Sequence, residues 1–205
     1  MISLLLLGVL ASADTGVVTD DTDDVYFNSH GDVQLNINDK PMIDIIQTTY
    51  TTAEDTITIS IEINPEGTID DSNHTLYYGE YESKDASYQF RYSNGAGNAA
   101  VESSGTKEFV TAEYEVTDRT ISATFDFVGE DTSQVKLYGY AHYYDDPSEG
   151  ILGDYWMDNT GGTGDGSSGD TNGNANDELD ETPGFELLIL LSALGIVYLV
   201  NRRKR

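Results

Sequence analysis

The chain has no cysteine. Disulfides are excluded, so any exported domain here is held by its core alone. Basic residues are scarce too. Ten Lys and Arg stand against 37 Asp and Glu, a formal net charge of -27. Such a surface repels phosphate backbones and excludes nucleic acid as a partner. It suits a salty medium, where screening weakens self-repulsion. Catalytic signatures are missing as well. There is no thiol nucleophile, G-x-S-x-G, H-E-x-x-H or phosphate-binding glycine loop. Carboxylate pairs are too numerous for any one to mark a glycosidase cleft. The chain reads as a non-enzyme. Long apolar runs are confined to its two ends.

At the front, Ile2 to Ala13 is apolar around Leu4-Leu5-Leu6-Leu7 and closes on Ala11-Ser12-Ala13. It is too short to span a bilayer, and Ala11 and Ala13 form a small-residue cleavage site. Residues 1–13 therefore read as a signal peptide, with a mature chain from Asp14. At the back, Thr182-Pro183-Gly184-Phe185 leads into an apolar run, and Arg202, Arg203, Lys204 and Arg205 follow. The sixteen residues 185–200 would span ~24 Å as a helix, at the short limit for a transmembrane segment. The basic cluster keeps the tail cytoplasmic and everything upstream outside. With both ends set aside, Asp14–Gly184 keeps 6 basic against 36 acidic residues, a net of -30, because the tail holds four basic residues and Glu186.

Residues 183–205 closely resemble the PGF-CTERM sorting signal of archaeal surface proteins. The resemblance implies recognition at Pro183, Gly184 and Phe185 by a membrane enzyme of the archaeosortase type. It further implies removal of the helix and attachment to a lipid. The expected location is the cell surface, anchored at the cytoplasmic membrane.

Between the ends the apolar pattern has period two. In Thr56–Ile63, Ile57, Ile59, Ile61 and Ile63 alternate with polar residues, the mark of a strand with one buried face. Val33, Leu35, Ile37, Ile43 and Ile45 share one parity, while Ile46, Thr48 and Tyr50 take the other. That slip predicts a bulge in a long strand. Further strands are expected over 76–81, 87–92, 98–102, 108–116, 120–128, 135–144 and 154–157. Asn94-Gly95 and Thr117-Asp118-Arg119 supply turns. The expected fold is all-β, a single antiparallel sandwich of the immunoglobulin-like or jelly-roll-like kind over residues 25–157. Residues 14–24 read as a mobile acidic arm. Residues 158–182, rich in Gly, Asp, Asn and Ser, read as a flexible linker.

Lys40-Pro41-Met42-Ile43-Asp44-Ile45-Ile46, followed by a Thr/Ile strand and a Tyr-rich middle, resembles the layout of DOMON and family-9 carbohydrate-binding-module sandwiches. Those families include sugar and haem binders. Haem is not expected, because Met42, His30, His74 and His142 are scattered without an axial pair. Sugar binding has candidates in Tyr138, Tyr140 and Tyr144, on one face of strand 135–144, with Trp156 beside them; aromatic rings stack on sugar rings. The same pattern also serves plain packing. No cofactor is required. Calcium is the one candidate ion, at Asp20, Asp21, Asp23 and Asp24 with Asp44, since hard cations take clustered oxygens. Asn73-His74-Thr75 is an N-glycosylation sequon. The expected role is binding or adhesion, to a glycan or an envelope protein. The alternatives are a structural surface-layer accessory without a small ligand, and a solute-capture module serving a transporter.

Overall fold

The computed structural model describes residues 14–29, 32–34, 39–53, 55–127 and 134–163. The signal peptide, the sorting signal with its helix 185–200, and the linker beyond residue 163 lie outside the described residues. Thirteen strands follow in order: β1 (Thr15–Thr19), β2 (Tyr26–Ser29), β3 (Asp32–Gln34), β4 (Ile45–Ala53), β5 (Thr56–Ile63), β6 (Thr75–Glu82), β7 (Ala86–Ser93), β8 (Ala96–Ser103), β9 (Thr106–Val110), β10 (Glu113–Val116), β11 (Thr120–Asp126), β12 (Lys136–Tyr144) and β13 (Tyr155–Thr163). A 3-10 turn, Gly150–Leu152, precedes β13. All recorded pairings are antiparallel. A five-stranded sheet runs β1-β4-β5-β11-β10, and an eight-stranded sheet runs β3-β2-β13-β12-β6-β7-β8-β9. The fold is a β-sandwich.

The core follows from the alternation. Ile57, Ile59, Ile61 and Ile63 are wholly buried on the inner face of the small sheet, with Ile121 and Phe125 beside them. The large sheet answers with Tyr77, Tyr81, Tyr88, Phe90 and Leu137. Aromatic rings meet across the interface. Tyr50 lies edge-on to Tyr81 at 4.8 Å, and Tyr88 to Phe125 at 5.7 Å. Many tyrosines are thus core residues. Their rings supply buried area, and their hydroxyls find partners near the edges: Tyr77 donates to the Met42 carbonyl at 2.9 Å and Tyr92 to Asp71 at 2.6 Å.

The expected bulge is present: the β4–β5 register shifts between Ile45 and Gln47. Asn94 (φ 54°) and Gly95 (φ 67°) make the β7–β8 hairpin, as two residues of positive φ require. Ser104 (φ 53°) and Gly105 (φ 75°) make an equivalent turn between β8 and β9.

Three expectations need correction. Residues 108–116 are not one strand. The chain leaves the large sheet at Val110 and enters the small one at Glu113. The crossing at Thr111-Ala112 leaves the apolar alternation unbroken, so the pattern hides it. The arm 14–24 is not wholly mobile, since β1 pairs along β4 from Thr15 to Thr19. The linker does not begin at Asp158, because β13 continues to Thr163 alongside β12.

Candidate metal centre and aromatic sheet face

Four aspartates gather at one end of the sandwich from distant parts of the chain. Asp20 directly follows β1, its N–H donating to the Ile46 carbonyl at 3.1 Å. Asp24 follows a turn in which Asp23 takes φ 65°, and Val25, fully buried, fastens the segment. Asp44 directly precedes β4. Asp158 points inward from β13, opposite Ala141. Asp158 and Asp44 are 3% and 1% exposed, which sets them apart from ordinary surface acids.

Carboxylate oxygens of Asp20, Asp24 and Asp158 all lie within 4.8 Å of one another. Asp158 Oδ2 accepts the Ile45 N–H at 2.5 Å. Asp44 Oδ2 accepts from the Asp23 N–H at 2.8 Å and the Asn64 amide at 2.7 Å. Asp44 Oδ1 and Asp24 Oδ1 are buried and have no hydrogen-bond partner. Among the described residues no basic side chain is paired with any of the four; the ion pairs are Arg119–Glu62 and Lys136–Glu82, both on the surface. The charges acting on Asp158 are those of Asp24, Asp20 and Asp44.

The electrostatics follow. Burial, then the charge of Asp24, raises the Asp20 carboxyl to about 7. Burial, then Asp44, raises Asp24 to about 6. Burial holds Asp158 well above the usual carboxylate range, against the opposing effect of the Ile45 N–H. Asp21 and Asp23, expected beside them, are exposed. Asp158 was missed because it falls where the sequence turns Gly-rich. Its signal was the period-two run Trp156, Asp158, Thr160.

The second feature is the outer face of the large sheet. Tyr81, paired with Leu137, faces the small sheet, so Tyr138, Tyr140 and His142 face the other way. Tyr144 continues this row, and its hydroxyl lies 3.0 Å from His142 Nδ1. The Tyr138 and Tyr140 rings are nearly parallel at 18°, and Tyr78 on β6 stands 5.8 Å from Tyr140. Beside them Glu80 accepts from the Tyr78 hydroxyl at 2.7 Å, Ser87 at 2.5 Å and Gln89 at 2.8 Å. Lys107 donates to Gln89. Burial raises Tyr138, Tyr140 and Tyr144, so all three remain neutral phenols.

Trp156 does not join this row. It lies on the inner-face register, against Phe27 at 4.6 Å and Tyr143 at 5.6 Å, with the Lys40 ammonium 4.5 Å over its ring. At the sequon, Asn73 is exposed, whereas Thr75 is fully buried and its hydroxyl donates to Asp70 at 2.5 Å. Comparison with protein-family models, curated proteins and solved structures finds no match to this chain.

Proposed function

We propose that this chain is an exported, membrane-anchored surface module of archaeal type whose β-sandwich binds a carbohydrate or similar polyol through the outer face of its large sheet. The observation that carries the reading is the tyrosine row itself. Tyr138, Tyr140 and Tyr144 stand on one strand face, with Tyr78 and the Glu80 network beside them. From Tyr138 to Tyr144 the row covers ~20 Å of strand; His142 within it is buried, so the tyrosines on either side are what a sugar ring would meet. Flat aromatic faces suit sugar C–H surfaces. Glu80, Gln89 and the phenol hydroxyls suit hydroxyl groups. The net negative charge argues for a neutral or basic glycan over an anionic one.

Display outside the cell rests on the Pro183-Gly184-Phe185 tail and its basic end. The front of the chain agrees with it. Ala11-Ser12-Ala13 is a small-residue cleavage site just ahead of Asp14, whose carbonyl accepts the Thr52 N–H at 2.8 Å.

Two experiments test the reading. A glycan array probed with the full chain should give hits that disappear in Tyr138→Ala and Tyr140→Ala variants of unchanged fold. Silence across the array would point instead to a structural envelope component. Intact mass of the protein from native membranes should show a C-terminus near Pro183-Gly184 carrying a lipid. An unmodified chain ending at Arg205 would contradict sorting while leaving a plain membrane anchor.

A further inference from the structure

We propose that Asp20, Asp24 and Asp158, with the buried Asp44 carboxylate as a neighbouring charge, form a calcium site that fastens the N-terminal arm to both sheets of the sandwich. Three carboxylates from separate segments converge within 4.8 Å. Calcium holds oxygens at about 2.3–2.6 Å, so ligands on opposite sides of one ion stand roughly 5 Å apart. The observed spread fits a single coordination shell.

Convergence of acids is common on acidic proteins, and burial is what separates this group. Asp158 and Asp44 are nearly inaccessible, and removing an unpaired carboxylate from water costs several kcal/mol. A buried pair is ordinarily matched by a basic side chain, and none is paired here among the described residues. Asp44 Oδ1 and Asp24 Oδ1 accept no hydrogen bond although both are buried. Protons shared between the carboxyls are the other way to satisfy these oxygens, and the response to calcium separates the two. A cation satisfies them and supplies the missing charge.

The donors are all oxygen, with no thiol or imidazole in the group, which excludes a preference for zinc or copper. Magnesium demands a strict octahedron and keeps most of its water, whereas calcium takes several carboxylates in loose geometry. The ligands sit at strategic places in the topology. Asp20 directly follows the edge strand β1 of the small sheet, and Asp158 lies within β13 of the large sheet. An ion between them closes one end of the sandwich. The site is independent of the tyrosine face, so its failure and the failure of glycan binding are separate results.

The test is thermal unfolding of the EDTA-treated full chain at constant ionic strength, with and without calcium or magnesium. Saturating calcium is expected to raise Tm by ~5–10 °C, and magnesium by much less. Asp158→Asn keeps the shape and an acceptor for the Ile45 N–H. It should melt no lower than the parent in EDTA, yet lose the calcium shift. The double variant Asp145→Asn/Asp146→Asn, on an exposed turn, should keep it. Terbium luminescence should saturate with the parent and vanish with Asp158→Asn. No calcium-specific shift, or an equal shift in Asp158→Asn, would overturn the site. An equal magnesium shift would overturn calcium as its ion.

Discussion

Asp158 on the large sheet accepts a 2.5 Å hydrogen bond from the backbone N–H of Ile45 on the small sheet. This bond occupies the amide beside the β4 bulge, where the ladder with β5 shifts register. Asp158→Ala leaves that buried N–H unpaired, whereas Asp158→Asn does not. An unsatisfied buried donor costs about 1–3 kcal/mol. In EDTA, urea unfolding should place Asp158→Ala below Asp158→Asn by that margin; equal midpoints would remove the bond from the account.

A second cross-sheet contact lies nearby. The Thr48 and Thr160 hydroxyls meet at 2.7 Å directly over Gly139, where a Cβ would come within 2.2 Å of Thr48 Oγ1. Gly139→Ala should therefore separate the sheets locally and destabilise by about 1–3 kcal/mol. A neutral result by denaturant melt would mean the sheets stand further apart.

The isoleucine ladder is the centre of the core. Ile59 is fully buried between Tyr50 on β4 and Ala123 on β11 in the register of the small sheet. Ile59→Ala should cost about 2–5 kcal/mol, measured by chemical denaturation. Thr58→Ala, on the outer side of the same strand, should cost about 1 kcal/mol or less, through its hydroxyl contact with Thr124.

Stability without metal should fall as pH rises. Asp20 and Asp24 titrate near 7 and 6 in the fold, above the usual value near 3.9 in an unfolded chain. Between about pH 4 and 7 the folded state therefore holds more protons than the unfolded one, and stability declines with pH across that window. Asp70, lowered by Thr75 and Ser72 hydrogen bonds that outweigh its burial, acts with the opposite sign at lower pH. Tm in EDTA should drop from pH 5 to pH 8. Calcium should flatten or reverse that slope, because it competes with protons for the same carboxylates. A rising Tm in EDTA would contradict the buried acid cluster.

Much of the sandwich was legible because half-buried strands print their faces directly. Thr56–Ile63 matches β5 residue for residue, and the parity change around Ile45 marked the bulge. The crossover at Thr111-Ala112 was not legible, since alternation reports a face and not a sheet. The acid centre was half legible. Asp20, Asp24 and Asp44 are expected from their crowding, but crowding alone also named Asp21 and Asp23, which point to solvent. Asp158 is separated from them by over a hundred residues, and only the pairing of β13 with β12 brings it inward. Likewise Tyr138 and Tyr140 were readable as one face of a strand. That Trp156 belongs to the other face depends on its registration opposite Tyr143, which no local pattern records.

The central claim is that the outer face of the large sheet is a ligand surface. Its most direct measurement is calorimetric titration of the full chain with the best array glycan, run in parallel on Tyr138→Ala and on the parent. The substitution removes a half-exposed ring and should cost about 1 kcal/mol of stability or less. The account expects affinity to fall at least tenfold in the variant, with its melting curve nearly unchanged. Equal affinity in the two proteins would contradict it and place the ligand elsewhere.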